Sequence, residues 1–288
     1  MRSPVELITA MALLISGHVF ATENATLQAG LPRNFTKVRE FVVNGGDAGN
    51  TPYQVSLRQD GCHFCGGVII DRRWVLTAAH CLMDIRPNEM TVVAGTTQLS
   101  RGGSRLRVER FVIHPRYDRS LAANDIGLVQ IKGIFLWLTN RVARLELGKD
   151  YDPPGTEATI TGWGGTLRSG GPLSDKLQYA RLRVIDQRQC QALLPNIDAW
   201  NLCTFTREGQ GICGGDSGSP LVSDRKVIGI ASFWCRALTW RRLRCWISRW
   251  VHESFPFLQL DTREHAETAD MAFRTNNPET SVTLFFHT

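Results

Sequence analysis

The sequence predicts an all-β domain. Three observations support this: short β-type runs recur from Val42 onward, turn-forming residues separate them, and few stretches hold a helical period. The runs include YQVSLRQ, GGVII, WVLTA, MTVVAG, RLRVERFVI, DIGLVQI, ATITGWG, YARLRVI and KVIGIASF, with glycine, proline, asparagine or serine clusters between them. Strands at this density close into a barrel or stack as a sandwich. No repeat of fixed period appears, which argues against solenoids and propellers. One helix is expected near Asp186 to Leu194, and a second, C-terminal one within Trp246 to Leu258.

Taken in order, residues 1–21 read as a secretory signal peptide. Arg2 gives a basic start, LITAMALLIS an apolar centre, and Val19 and Ala21 the small side chains before a cut. That run is short for a membrane span, and no other segment reaches about eighteen apolar residues, so none is expected. Residues 22–41 are polar, without a hydrophobic period, and read as a pro-region. They hold two glycosylation acceptors, Asn24 in Asn-Ala-Thr and Asn34 in Asn-Phe-Thr. Residues 42–260 form the expected folded domain, and 261–288 a poorly ordered tail.

The chain has 43% hydrophobic and 21% charged residues, a globular balance. Secretion to an extracellular setting implies that its eight cysteines mostly pair. The net charge of +6 is mild, and no basic run carries a nucleic-acid motif, so no nucleic-acid partner is expected.

Three motifs carry chemistry: Thr77-Ala78-Ala79-His80-Cys81 after an apolar strand, Asn124-Asp125-Ile126-Gly127 opening another, and Gly214-Gly215-Asp216-Ser217-Gly218-Ser219-Pro220 in a glycine-rich loop. Each alone is modest, since a lone histidine is more often structural and an aspartate before a strand usually makes a turn. In the order His, Asp, Ser they resemble the trypsin/chymotrypsin-like serine peptidases, insect chymotrypsin-like enzymes in particular. Val42-Val43-Asn44-Gly45, Cys65-Gly66-Gly67 and Thr161-Gly162-Trp163-Gly164 extend the resemblance over roughly Val42 to Ser232.

The resemblance implies two six-stranded antiparallel β-barrels with the active site in the cleft between them. It makes His80 the base, Asp125 its orienting carboxylate, Ser217 the nucleophile and the N–H groups of Gly215 and Ser217 the oxyanion hole. Ser232 would sit beside Asp125. It also implies the disulfides Cys65–Cys81, Cys190–Cys203 and Cys213–Cys235, leaving Cys62 and Cys245 over. No cofactor or metal is expected; Val92 to Val108 holds no carboxylate-bearing calcium loop.

The family's activation, carried onto this chain, pairs a new Val42 amine with Asp216 after cleavage by another peptidase. Here Phe41, not a basic residue, precedes Val42, while Arg39 stands two residues earlier. That leaves open an aromatic-preferring activator, a trimming step or no activation. The pocket floor maps to Gly211 and its wall to Ser232, Phe233 and Trp234. An uncharged floor favours an apolar or aromatic side chain in a protein or peptide substrate; protein inhibitors are a further class of partner the resemblance allows.

One stretch departs from the family. Residues 234–250, WCRALTWRRLRCWISRW, hold five arginines and four tryptophans, and Trp234 stands where the family has glycine. Three readings compete: an unusual pocket loop, a basic aromatic patch, or a frame-shifted stretch over Phe233–Trp246. The third is favoured, because codons for Trp-Cys-Arg-Ala read one nucleotide out can spell the Val-Pro-Cys-Ala of insect chymotrypsin-like enzymes. The expected function is therefore a secreted serine endopeptidase zymogen, with an impaired or non-catalytic homologue acting by binding as the alternative.

Overall fold

The computed structural model describes residues 46–136, 140–148, 152–165, 171–193, 201–205, 212–235 and 244–249; for 193, 233–235 and 244–249 it describes the backbone alone. The expected signal peptide, the pro-region with Asn24 and Asn34, Val42, Gly211 and the 261–288 tail lie outside the described residues.

After β1 (Gly46–Asp47) come β2 (Gln54–Gln59), β3 (Cys62–Ile69), β4 (Trp74–Thr77), β5 (Met90–Ala94), β6 (Ser104–Ile113) and β7 (Gly127–Ile131). The last six close into a barrel in the order β2-β3-β4-β7-β6-β5. Closure leaves no free edge among them. Val55, Leu57, Val68, Leu76, Val92 and Val129 are fully buried within it. Each such side chain contributes on the order of 1.5–3 kcal/mol relative to exposure. The β2–β3 ladder carries a bulge: Leu57 faces Cys65 and Arg58 faces His63, leaving Phe64 as an extra residue.

The second half holds β8 (Glu146–Leu147), β9 (Glu157–Gly162), β10 (Gln178–Val184), α1 (Gln187–Leu193), β11 (Asn201–Phe205), β12 (Pro220–Ser223), β13 (Lys226–Cys235) and β14 (Arg244–Arg249). Neighbours run β10-β11-β14-β13-β12-β9, and β9 pairs β10 as well. β1 adds to β10, and β8 runs parallel beside β13. In β10 the buried Gln178, Ala180, Leu182 and Val184 alternate with more exposed residues, the period expected of a strand with one face inward. Ile160, Leu182, Leu202, Leu221 and Ile228 form this half's core.

Gln54 bridges the halves from β2. It is 1% exposed, its amide nitrogen donates to Ser219 Oγ at 3.3 Å, and its carbonyl accepts from Thr161 Oγ1 at 2.7 Å. A buried amide is tolerated because it is hydrogen-bonded.

The helix expected near Asp186 to Leu194 is α1. Asp186 caps it, its carboxylate accepting from the N–H groups of Arg188 at 2.9 Å and Gln189 at 3.2 Å. The second, C-terminal helix needs correction where it is described. Arg244–Arg249 is a strand, with Ile247 paired to Leu202 on one side and Ala231 on the other. Two waiting strand edges outweigh a local apolar spacing, because each unpaired buried backbone group is costly. Residues 250–258 lie outside the described residues.

Cys65–Cys81 and Cys190–Cys203 are disulfides, and Cys62 is exposed, without a disulfide partner among the described residues. The side chains of Cys235 and Cys245 lie outside the described residues, and with them the expected Cys213–Cys235 bond. Among the described residues, no helix is long and apolar enough to cross a membrane.

Candidate active site

β4 and β7 are neighbours, with Thr77 opposite Gly127. That pairing sets the turn after β4 beside the loop before β7, so the His80 and Asp125 segments meet. Ala78 and Ala79 are fully buried, and His80 follows on a short 3-10 turn, Ala79–Leu82. Cys81 ties this turn to β3 through Cys65. On the other side Asn124 takes a φ of 52°, a left-handed bend that asparagine tolerates, and its side chain donates to the Arg116 carbonyl at 2.9 Å.

Asp125 is 1% exposed. Its Oδ1 accepts from the His80 backbone N–H at 2.8 Å, and its Oδ2 accepts from His80 Nδ1 at 2.7 Å. Ser232 Oγ also donates to Oδ2. An ionised carboxylate only accepts, so Nδ1 carries the ring proton and the neutral imidazole keeps a lone pair on Nε2. His80 is partly open to solvent while its partner is not. The ring is thus oriented from behind with a basic nitrogen in front. Cys65 and Cys81 lie close to His80, but their sulfurs are joined to each other and offer no thiolate to a metal.

Ser217 is half-buried at the end of the glycine loop, and its carbonyl accepts from the Gly66 N–H of β3 at 2.7 Å. Gly218 N–H donates to the Ala231 carbonyl at 2.7 Å, next to Ser232. Gly218 has a φ of +79°, and a Cβ there would lie 2.2 Å from Thr77 Oγ1. Only glycine lets the loop press this close to the end of β4, three residues before His80. Ser217, His80, Asp125 and Ser232 are therefore carried by segments fastened to one another.

Asp216 is buried beneath the loop. Its Oδ1 accepts from Gly164 N–H at 2.7 Å and its Oδ2 from Cys213 N–H at 2.9 Å. Burial pushes its pKa up to about 6, against the pull of those two donors. Cβ atoms on Gly162 or Gly164 would fall 2.0 and 2.2 Å from its oxygens. The glycines of Thr161-Gly162-Trp163-Gly164 thus make room for a carboxylate.

Sequence reasoning missed His63 and Ser56. His63 Nε2 meets the Gly215 carbonyl at 2.9 Å and Nδ1 meets Ser56 Oγ at 2.9 Å. Burial lowers its pKa to about 4; the Gly215 bond opposes this and the Arg58 charge adds to it. The only sequence signal was a histidine two residues before Cys65. Of the expected pocket residues, Phe233 and Trp234 lie on β13, with Trp234 opposite Cys245 in the ladder. Gly211 lies outside the described residues.

Residues 43–238 match the model of the Trypsin family. The chain is 37% identical over 195 residues to Chymotrypsin-2 of Vespa crabro, covering 67% of this chain and 88% of that protein. It is 35% identical over 242 residues to Serine protease SP24D of Anopheles gambiae, covering 81% and 87%. Among solved structures, neuropsin, a serine protease of mouse brain, superposes with a TM-score of 0.64 at 27% identity, covering 72% of this chain and 93% of neuropsin. A strand framework, a histidine clamped by a buried aspartate and a glycine-held serine agree with these matches: the chain belongs to the trypsin family and is a serine endopeptidase.

Proposed function

We propose that this chain is a secreted zymogen, domain 42–260, that hydrolyses peptide bonds through His80, Asp125 and Ser217 and prefers an apolar or aromatic side chain before the cut. In this reading the ring of neighbours β10-β11-β14-β13-β12-β9 is a second barrel, and substrate lies in the cleft between the two. The observation that carries the reading is the double hydrogen bond from His80 to buried Asp125, which leaves Nε2 basic.

Ser217 Oγ attacks the scissile carbonyl carbon while its proton passes to His80 Nε2. The imidazolium is held against Asp125, and the carbonyl π pair moves to oxygen, where the N–H groups of Gly215 and Ser217 receive it. The C–N bond breaks as His80 returns the proton to the leaving amine. Water then repeats the sequence on the acyl-enzyme and frees the acid. Cleavage before Val42 supplies an ammonium to Asp216, whose buried carboxylate otherwise sits with N–H donors alone among the described contacts.

A fluorophosphonate tests this. Cleaved protein should become labelled on Ser217, and Ser217→Ala should not. Correctly cleaved, folded protein that stays unlabelled favours the second reading, a homologue that only binds. The motive for that reading is Trp234, which stands on β13 two residues after Ser232.

A further inference from the structure

Besides the Gln54 bond to Ser219, the first barrel holds two backbone carbonyls of the loop that carries Ser217. Gly66 N–H fixes the Ser217 carbonyl at 2.7 Å, and His63 fixes the Gly215 carbonyl at 2.9 Å. The second of these holds has a further member. Arg58 Nε donates to Ser56 Oγ at 3.0 Å, and Ser56 Oγ meets His63 Nδ1 at 2.9 Å. We propose that Arg58 is a positioning residue for the oxyanion loop, acting through Ser56 and His63 on the Gly215 carbonyl. The proposal rests on the reading of Gly215 as an oxyanion donor.

The direction of each hydrogen bond follows from chemistry. A carbonyl only accepts, so His63 Nε2 carries a proton. Burial keeps the ring neutral, so Nδ1 is then an acceptor and takes the Ser56 hydroxyl proton. The guanidinium only donates, and occupies a lone pair of the Ser56 oxygen. With Arg58 in place, the chain runs one way: Arg58 to Ser56 to His63 to Gly215. Without it, both lone pairs of the Ser56 oxygen are open, and the competing arrangement in which that oxygen accepts from Nδ1–H gains over the one in which the hydroxyl donates. The imidazole can then take its other tautomer, which turns a lone pair on Nε2 toward the Gly215 carbonyl and releases it.

The bulge at Phe64 makes this alignment. Partners across an antiparallel ladder share a face, so Ser56 lies with Gly66, and Arg58 with His63. Ser56 and Arg58 are two apart on one strand and share a face as well. In an unbulged ladder Phe64 would stand opposite Arg58 and His63 opposite Gln59, on the other face from Ser56.

Stability alone is a poor reason for Arg58. It is 5% exposed, and its Nη2 is buried without a partner among the described residues. Burying a guanidinium with an unused donor is costly, and an apolar side chain of similar length is often tolerated as well or better. On its other side the Gly214 carbonyl accepts from the Gly165 N–H at 2.9 Å and Gly215, at a φ of +97°, packs against Leu173 and Gly164, so the His63 bond is what holds the Gly215 carbonyl itself.

The test uses cleaved, full-length protein with Arg58→Met, Ser56→Ala and the double variant. Complete loss of an oxyanion donor lowers kcat about 10²–10³-fold; a donor that is present but loosely aimed should lower it by about tenfold. The expected result is that drop in both single variants, no further drop in the double variant, KM within about twofold and an unchanged or higher Tm for Arg58→Met. Nitrogen-15 spectra should show His63 with its proton on Nε2 in the parent and a new Nδ1–H population in Arg58→Met. Unchanged kcat with an unchanged tautomer in either single variant overturns the proposal. So does a fall in kcat that tracks a lowered Tm with the tautomer intact. If Arg58→Met does not fold, Ser56→Ala decides by the same readings. If the parent itself fails to label on Ser217, the functional reading fails, and the His63 tautomer still decides whether Arg58 sets the relay.

Discussion

His80 meets Asp125 twice, through its backbone N–H and through its ring, on two different oxygens of the same carboxylate. The backbone bond fixes where the residue sits, and the ring bond fixes which nitrogen is basic. Replacing Asp125 with Asn keeps the volume but offers an amide that can donate toward Nδ1. The ring would then carry its proton on Nε2, facing the wrong way. Asp125→Asn should lower kcat on a peptide amide by about 10⁴-fold near neutral pH, with a much smaller change in KM, measured by steady-state kinetics.

Gly164 and Gly214 should respond in opposite ways. A Cβ on Gly164 would lie 2.2–2.6 Å from three atoms of the Asp216 carboxyl, whereas one on Gly214 meets nothing within 4 Å and its φ is not in the left-handed region. Gly164→Ala should cost about 2–4 kcal/mol in denaturant unfolding and displace Asp216. Gly214→Ala should stay within about 0.5 kcal/mol of the parent.

Asp216 and His63 should pull stability in opposite directions over one pH range. Asp216 titrates near about 6 when folded, above the ordinary 3.8, so the uncut protein binds the extra proton and loses stability as pH rises from about 4 to about 6. His63 titrates near about 4 when folded, below the ordinary 6.5, so its contribution is present above about 6.5 and is lost as pH falls toward 4. Each is worth about 3 kcal/mol at about 1.4 kcal/mol per pH unit, so they nearly cancel in the parent chain. Subtracting the parent chain's unfolding free energy from that of Asp216→Asn should give a curve rising with pH across that window. The same subtraction for His63→Gln should give a falling one.

The Cys65–Cys81 bond joins residues 16 apart, across the strand and turn that lead to His80. Replacing both with Ala should lower stability by about 3 kcal/mol, the value for a loop of this length. Because the bond also anchors the turn at His80, fluorophosphonate labelling of Ser217 should slow under conditions where the variant remains folded.

How much of this was legible in the sequence depended on the kind of information each feature needs. The alternation in β10 and the apolar run of β7 declared themselves as strands, because burial on one or both faces is written directly into residue order. His80, Asp125 and Ser217 stood out because they sit in motifs of neighbouring residues. Arg244–Arg249 did not, since its strand state comes from two partners, β11 and β13, that no local window contains. His63 was hidden for a related reason: the Phe64 bulge decides which face it shares, and a one-residue shift in pairing leaves no mark in composition. Cys62, one residue earlier, was open in the sequence; it is exposed at the hairpin tip and has no disulfide partner among the described residues.

The first barrel uses one uninterrupted span, Gln54 to Ile131, whereas the second group of strands waits for Arg244–Arg249 to fill the gap between β11 and β13. On the ribosome, then, the half that carries His80 and Asp125 can close long before the half that carries Ser217 has its final member. A chain stopped short of Arg244 would emerge with one finished half and two raw strand edges on the other, a form more prone to sticking than to cutting.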